Sequence, residues 1–300
     1  MRFSIGLPTD RVVHPNEFVT GNAVMECAVA VEGFGFDACF VTDHPAPDAK
    51  WLAAGGHHAL DPMVALSFAA AATSRLLLQT HIMVLAYRNP LLTAKSVLSL
   101  DVLSDGRVIL GVAAGYLKPE FAALGVDFDE RNALTDEAID VIRLALTTDV
   151  LTYEGHHFRS RGTTMRPPPV QRPHPPIWIG GNSNAAIRRA VDRGEGWVPF
   201  PNPDSAARAV RTPRLASLTD LAQRLEYLHQ YAADTGRTTP LDVCWHPFSL
   251  TDTYEPSEVK DELAAMADLG VTWCVLSAPS ARTRAEYVDA AARFADDVIR

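Results

Sequence analysis

The segment Leu76–Tyr116 constrains the fold of this chain more than any other. It contains two apolar runs, Leu76–Val84 and Val108–Ala113, which are too short for buried helices and rich in the branched residues of buried strands. Between them lies a helix that Asn89 can cap and that Pro90 can begin. Because both runs are continuously apolar, the segment predicts a parallel βαβ unit that is covered on both faces.

Apolar runs recur along the whole chain. They lie near residues 3, 38, 77, 108, 177, 196, 242 and 271, and helical patterns follow most of them. Eight strands that alternate with helices predict an α/β fold, a parallel (β/α)8 TIM barrel, as one domain over residues 1–300. The polar, proline-rich segment 117–176 is predicted to be an insertion after the fourth strand. An open doubly wound sheet is the alternative, but Gly6-Leu7-Pro8 lacks its glycine fingerprint.

Composition and charge narrow the choice of partners. The net charge is −9 without a basic stripe, which argues against nucleic acid as a partner. No apolar run approaches the ~20 residues that span a bilayer, and the first residues lack a signal-peptide pattern. The cysteines have no paired metal-ligand spacing and are predicted to be reduced, in a cytoplasmic protein. They are Cys27, Cys39, Cys244 and Cys274.

The pair Asp43-His44 follows the second predicted strand, at the barrel end where catalytic groups usually lie. A histidine there can exchange a proton near neutral pH, and an acidic neighbour can orient it. The alternative is a histidine that is merely hydrogen-bonded in a loop. The pair is therefore a candidate for proton transfer.

The turn Gly180-Gly181-Asn182-Ser183 joins the fifth predicted strand to a helix. Main-chain amides and the helix dipole favour an anion at such a turn, and a cofactor phosphate would suit it. An ordinary strand–turn–helix connection would have the same sequence. The turn is a candidate for phosphate binding.

The adjacent histidines His57-His58, with His81 and Asp43, raise the question of a metal ion. Metal-dependent hydrolase barrels usually carry a His-x-His pair on the first strand, and Phe3–Leu7 contains no histidine. Adjacent histidines also point in different directions. The sequence therefore predicts no metal site.

Several separated motifs together resemble those of the bacterial luciferase-like superfamily. They are Val41-Thr42-Asp43-His44, Leu60-Asp61-Pro62, Tyr87-Arg88-Asn89-Pro90, Leu100–Arg107, Leu110-Gly111-Val112 and Pro175–Gly181. Within the superfamily, the chain is most similar to actinobacterial-type oxidoreductases that use the deazaflavin coenzyme F420. The resemblance extends from Arg2 to about Pro199. It implies a TIM barrel, often a homodimer, with an isoalloxazine-like ring at the barrel mouth.

The resemblance also implies roles for residues around the ring. His44 matches the histidine beside the reactive ring carbon, and Asp43 is its neighbour. His81-Ile82 falls where these enzymes carry a non-proline cis peptide that supports the ring. We therefore expect His44 to move a proton, Asp43 to orient it, and the cis peptide to hold the ring.

Other positions match the remaining walls of the family's cofactor site. Gly115 and Tyr116 line the other side of the ring, and the residues from Gly180 to Ser183 match the phosphate turn. Relatives that oxidise sugar phosphates carry a glutamate where this chain has Tyr116. The resemblance therefore predicts a substrate other than a sugar phosphate, such as an activated alkene or ketone.

These expectations combine into one functional hypothesis. The chain is predicted to transfer hydride between coenzyme F420 and a small organic substrate, with the cofactor's glutamate tail near Lys118, Arg159 and Arg161. One alternative is a monooxygenase of the same fold that uses flavin mononucleotide (FMN). A second is a flavin-binding or deazaflavin-binding protein without turnover.

Overall fold

The computed structural model describes residues 1–204, 212–278 and 280–300, and in this part of the chain eight parallel strands close into a barrel. All strands of the described residues, including three outside the barrel, are β1 (Arg2–Gly6), β2 (Ala38–Val41), β3 (Leu77–Thr80), β4 (Met83–Val84), β5 (Val108–Ala113), β6 (Leu151–Glu154), β7 (Arg159–Thr163), β8 (Ile177–Gly180), β9 (Gly196–Val198), β10 (Asp242–Trp245) and β11 (Trp273–Leu276). The barrel order is β1-β2-β3-β5-β8-β9-β10-β11, and β11 pairs with β1. The predicted TIM barrel is confirmed, and the closure excludes an open sheet.

Helices surround the barrel. They are α1 (Pro15–Phe18), α2 (Gly21–Phe34), α3 (Ala49–Ala53), α4 (Pro62–Ala72), α5 (Pro90–Leu103), α6 (Lys118–Ala123), α7 (Arg131–Thr147), α8 (Asn184–Arg193), α9 (Leu218–Asp234), α10 (Pro256–Asp268) and α11 (Arg284–Phe294), followed by a π-helical turn at Ala295–Ile299. Asn89 caps α5 as predicted, because its side chain accepts from the Leu91 and Leu92 amides. No helix in the described ranges is both long and apolar enough to cross a bilayer.

Alternate residues of each strand divide the core into two layers. Cys39 and Val41 of β2 belong to the large cluster that joins the strands to the helices. Ala38 and Phe40 of the same strand face a smaller cluster inside the barrel, as the two-residue period of a strand requires. This inner cluster also contains Ile109, Trp178, Val198, Cys244, Trp273 and Val275. In the described part of the chain, the inside of the barrel is therefore filled with side chains, which leaves its mouth as the place for a ligand.

The segment 117–176 contains α6, α7 and an antiparallel hairpin of β6 and β7. Helix α7 packs against α5 and α8, so it belongs to the outer ring of helices. The proline-rich part is anchored by Asp101, which is buried and accepts from the amides of Val170 and Gln171 at 2.7 and 3.2 Å. This part of the chain is therefore tied to the end of α5.

The four cysteines are buried and unpaired. Burial raises the pKa of the Cys27 and Cys39 thiols to about 12. Both thiols stay protonated at neutral pH and act as small apolar groups in the core.

Candidate active site

A cavity of about 480 Å³ opens at the carboxyl ends of the barrel strands. Its volume is within the range of about 300–1,000 Å³ that small-molecule sites usually have. All of the predicted site residues line it: Asp43, His44, His81, Ile82, Gly115, Tyr116, Gly180, Gly181, Asn182 and Ser183. They lie at the end of, or after, four different barrel strands, and the closure of the barrel brings them together.

One wall of the cavity is the turn between β3 and β4. The peptide bond between His81 and Ile82 is cis, which confirms the prediction for this bond. Ile82 lies against Gly180, where an added Cβ would be 2.8 Å from Ile82 Cδ1. An added Cβ at Gly111 would be 2.1 Å from the carbonyl oxygen of Thr80. Glycine at both positions lets β5 and β8 pack on this turn.

His81 is held as an uncharged imidazole in this wall. Burial, with a smaller contribution from nearby His246, lowers the pKa of His81 to about 4. Its Nδ1 lies 3.2 Å from Nε2 of Gln79, and the Ser4 hydroxyl donates to Gln79 Oε1 at 2.8 Å. The amide nitrogen of Gln79 therefore donates to Nδ1, and the ring hydrogen is on Nε2.

The carboxylate that contacts His44 is Glu120, in the first turn of α6. Glu120 Oε2 lies 3.4 Å from His44 Nδ1, and the exposed fractions of the two side chains are 2% and 10%. Glu120 also accepts from the Ala46 amide at 2.9 Å and from the Tyr87 hydroxyl at 3.4 Å. These contacts fix the carboxylate behind the imidazole.

Asp43 has a different role from the predicted one. Its Oδ1 accepts from Arg88 Nη2 at 2.7 Å, and its Oδ2 accepts from the Val84 amide at 3.0 Å. Burial raises the pKa of Asp43, and Arg88 acts in the opposite direction. The prediction that Asp43 orients His44 is corrected, because both of its oxygens hold β4 and Arg88 while Glu120 contacts the imidazole.

Aromatic rings surround His44 at the mouth. Its ring centroid lies 4.5 Å from Trp51, 5.0 Å from His57 and 6.1 Å from Tyr116. Burial, followed by the nearby Glu120 carboxylate, raises the pKa of Tyr116 to about 12. Burial lowers the pKa of His57. At neutral pH, both side chains are therefore uncharged.

The predicted phosphate turn lies at the start of α8. Ser183 caps the helix by accepting from the Ala186 amide at 3.2 Å, and Gly181 has a φ of +121°, which favours glycine. Asn182 is fully buried, and it bonds to both the amide and the carbonyl of Phe200. The side chains of Asn182 and Ser183 thus stabilise the turn, and an anion would be bound by main-chain amides of the helix start.

Two arginines, Arg131 and Arg189, line the cavity on the side formed by α7 and α8. Arg189 Nε pairs with Asp136 at 2.5 Å, and its Nη2 donates to Asn132 Oδ1 at 3.1 Å. Both guanidinium groups lie on the anion-binding side, although Asp136 offsets part of the charge of Arg189. This charge matches a ligand with a phosphate.

The three cations that were predicted to meet a cofactor tail do not line the cavity. Lys118 lies over the Phe128 ring, and Arg159 pairs with Glu154 at 2.9 Å. Arg161 is exposed on β7. Among the residues that the structure describes, the cations of the cavity wall are Arg131 and Arg189.

Sequence reasoning missed Glu120, Arg131 and Arg189, although two of them lie within the predicted insertion. One signal was present for Glu120. It lies one helical turn after Tyr116, which itself follows the end of β5, so a short helix there would hold it near the mouth.

The model of the luciferase-like monooxygenase family matches residues 1–224. An uncharacterized protein of Mycobacterium tuberculosis is 29% identical over 252 residues, which are 82% of this chain and 78% of that protein. The F420-dependent glucose-6-phosphate dehydrogenase of Intrasporangium calvum is 28% identical over 299 residues, with 89% of this chain and 85% of that protein covered.

Solved structures share the fold over the whole chain. The monooxygenase RslO1 from Streptomyces bottropensis has a TM-score of 0.79 at 19% identity, with 100% of this chain and 99% of that chain covered. The coenzyme F420 dependent tetrahydromethanopterin reductase from Methanopyrus kandleri has a TM-score of 0.74 at 18% identity, with 99% and 98% covered.

Proposed function

Because the chain belongs to the luciferase-like monooxygenase family, we propose that it is an oxidoreductase that transfers hydride between coenzyme F420 and a small organic substrate. One observation carries the proposal: a single cavity has His44, backed by Glu120, on one side and an anion-binding helix start on the other. The cis peptide at His81-Ile82 lies in the same cavity wall. Relatives named as F420-dependent enzymes support the choice of cofactor.

The lining residues fit such a cofactor. The start of α8, with Arg131 and Arg189, would hold its phosphate, and Ile82 and Tyr116 would flank its ring. Small residues at 113–115 and 180–181 leave room for a planar group near the main chain. When it is bound, the cofactor supplies the hydride, which no side chain can provide.

His44 would supply the proton that accompanies each hydride. A carbonyl or activated alkene that gains hydride at carbon needs a proton at its other end. Glu120 accepts from Nδ1 of His44, so Nε2 is the nitrogen that can exchange a proton with the substrate. Tyr116 stays protonated and can donate a hydrogen bond to a substrate oxygen.

We further propose that the substrate is uncharged. Among the described lining residues, the arginines are confined to α7 and α8, where they would meet the cofactor phosphate. The opposite side, around His44, has the uncharged rings of Tyr116 and His57. A sugar phosphate would need a second cationic group there, whereas a ketone or conjugated alkene would pack against these rings.

An FMN-dependent monooxygenase is the second candidate, and the structural similarity to a monooxygenase favours it. FMN and coenzyme F420 both carry a phosphate on a ribityl chain, so the α8 turn suits either of them. A protein that binds one of the two cofactors without turnover is a further alternative, against which the His44–Glu120 pair argues.

Equilibrium titration of cofactor-free protein with coenzyme F420 and with FMN, at one salt concentration, tests the proposal. We expect tighter binding of coenzyme F420, followed by turnover of ketones or activated alkenes with the reduced cofactor. Tighter FMN binding with oxygen-dependent turnover would support the monooxygenase instead. Efficient oxidation of glucose 6-phosphate would refute the uncharged substrate.

We also propose that the protein forms a homodimer through α2, α4 and α5, which pack side by side. These helices expose large apolar side chains, namely Val29, Val64, Phe68, Leu92 and Leu103. A contiguous exposed apolar face typically marks a protein–protein interface, and these side chains lie on neighbouring helices. Light scattering should give a dimer for the wild type and a monomer for Val64→Glu/Leu92→Glu, and a wild-type monomer at micromolar concentration would contradict this.

The unpaired cysteines suit a reducing compartment, so we propose a cytoplasmic location.

A further inference from the structure

A second pair of adjacent histidines, His156-His157, lies in the turn between β6 and β7. The Nε2 of His157 is 3.2 Å from Glu130 Oε2, just before α7. The ring centroids of His156 and His157 are 4.5 Å apart, and the two ring planes are nearly perpendicular, at 86°. Adjacent histidines usually point in different directions, but in this turn one ligand atom from each of Glu130, His156 and His157 lies within 4.8 Å of the other two.

We propose that Glu130, His156 and His157 form a binding site for a divalent transition-metal ion such as Zn²⁺. Two imidazoles and one carboxylate are a common ligand set for zinc, with water as the fourth ligand. Tetrahedral ligands at about 2.1 Å from the ion are about 3.4 Å apart, so the longest of the present spacings, at most 4.8 Å, must contract by up to about 1.4 Å. Rotation of Glu130 and His156 can close this gap, because both residues are exposed.

Glu137 of α7 supports this assignment. Its Oε2 lies 2.8 Å from His157 Nδ1, and it also accepts from the main-chain amides of His157 and Phe158 at 2.9 Å. Metal-binding histidines usually donate their other ring nitrogen to a carboxylate in this way, which fixes the ring and leaves Nε2 as the ligand. Glu137 therefore orients His157 toward Glu130.

An ion pair of His157 with Glu130 and Glu137 would make the same two contacts without a metal. His156 distinguishes the two cases, because an ion would need it as a third ligand and the ion pair would not.

The proposed ion would join the hairpin turn to the start of α7. Arg131 and Asn132, which follow Glu130 directly, line the large cavity. The site does not depend on the proposed function, since none of its three ligands lines that cavity.

Isothermal titration of the untagged, full-length protein with Zn²⁺, and separately with Ni²⁺, tests the site. We expect one ion per chain, with binding at least about 10-fold weaker in His156→Ala and in His157→Ala. Glu137→Gln should weaken binding by about 10- to 100-fold, as the loss of such an orienting partner usually does. His58→Ala, from the other histidine pair, is the matched control and should bind like the wild type.

Equal affinity of the wild type and His156→Ala would overturn the proposal. So would equal losses in His156→Ala and His58→Ala, or a wild type that shows no saturable binding at pH 8. Because His156 is exposed, His156→Ala should keep the wild-type melting temperature, and its result is therefore not confused with unfolding.

Discussion

Replacement of Glu120 by glutamine is the sharpest test of the candidate active site. The glutamine would retain an oxygen for the Ala46 amide but would present an NH2 group to His44 Nδ1. Because an NH2 group cannot accept a hydrogen bond, Nδ1 of a neutral His44 would have to accept, which moves the ring hydrogen to Nε2. The substitution thus keeps the shape of the side chain and reverses the hydrogen bond.

The geometry sets the expected size of the effect. A hydrogen bond to a charged group is worth about 1.5–3 kcal/mol, which corresponds to a factor of about 10–150 in rate. The Nδ1–Oε2 distance of 3.4 Å is longer than the distance of about 2.8 Å in strong charge-assisted pairs. We therefore expect Glu120→Gln to lower turnover by about 10- to 50-fold, near the lower end of this range.

Turnover and the cofactor dissociation constant should be measured for Glu120→Gln and for a control, Glu32→Gln. Glu32 also accepts several hydrogen bonds, from the amides of Ser74, Arg75 and Leu76, but it lies far from the mouth. The control should lose stability and keep its turnover. A Glu120→Gln enzyme within about 2-fold of wild-type turnover, or a control with an equal loss, would refute the role of Glu120.

Three further predictions follow from single side chains. His44→Ala should lower turnover by about 100- to 10,000-fold while the cofactor dissociation constant changes little, and a loss of cofactor binding instead would make His44 a binding residue. Arg107→Met should lower the free energy of unfolding in urea by about 3 kcal/mol or more, because the buried guanidinium donates to several main-chain carbonyls, including that of Leu76. A loss below about 1 kcal/mol would contradict this. Stability should decrease as the pH falls from 6.5 to about 4, because the pKa of folded His81 is about 4 and the unfolded chain binds more protons in this window. His81→Gln should remove up to about 3 kcal/mol of this decrease, and equal pH dependence in both proteins would show that other groups cause it.

The barrel strands could be predicted because buried parallel strands are continuous apolar runs. Val108–Ala113 is one such run, and it forms β5 with the bounds that its sequence predicts. The sequence predicts a helix at Asp136–Leu146, within α7, but its place in the barrel was harder to predict, because the polar residues around it and the prolines after it suggested an insertion. Its apolar face packs on α5 and α8, which only the folded chain brings alongside it.

The residues of the candidate site also divide into those that the sequence predicts and those that only the fold reveals. Residues that directly follow strands, such as His44 and Gly181, could be predicted because strand ends converge at the barrel mouth. The partners of these residues could not be predicted, since they depend on tertiary packing. Arg88 reaches Asp43 from 45 positions away, and Glu120 reaches His44 from 76. Sequence adjacency favoured Asp43 as the partner of His44, but the fold pairs His44 with Glu120.

The position of this carboxylate bears on the reaction. Relatives that oxidise sugar phosphates carry an acid where Tyr116 lines the cavity, whereas here the acid is Glu120, which lies behind His44. Tyr116, with a pKa of about 12, does not accept a proton at neutral pH, and the lowered pKa of His81, about 4, makes it a poor base. Of these three described side chains, His44 is therefore the best suited to the proton transfer that the proposed reaction requires. Reduction of a ketone or an activated alkene takes up one proton with each hydride. One proton-exchanging imidazole, that of His44, with the Glu120 carboxylate fixed behind it, is therefore sufficient for the proposed chemistry.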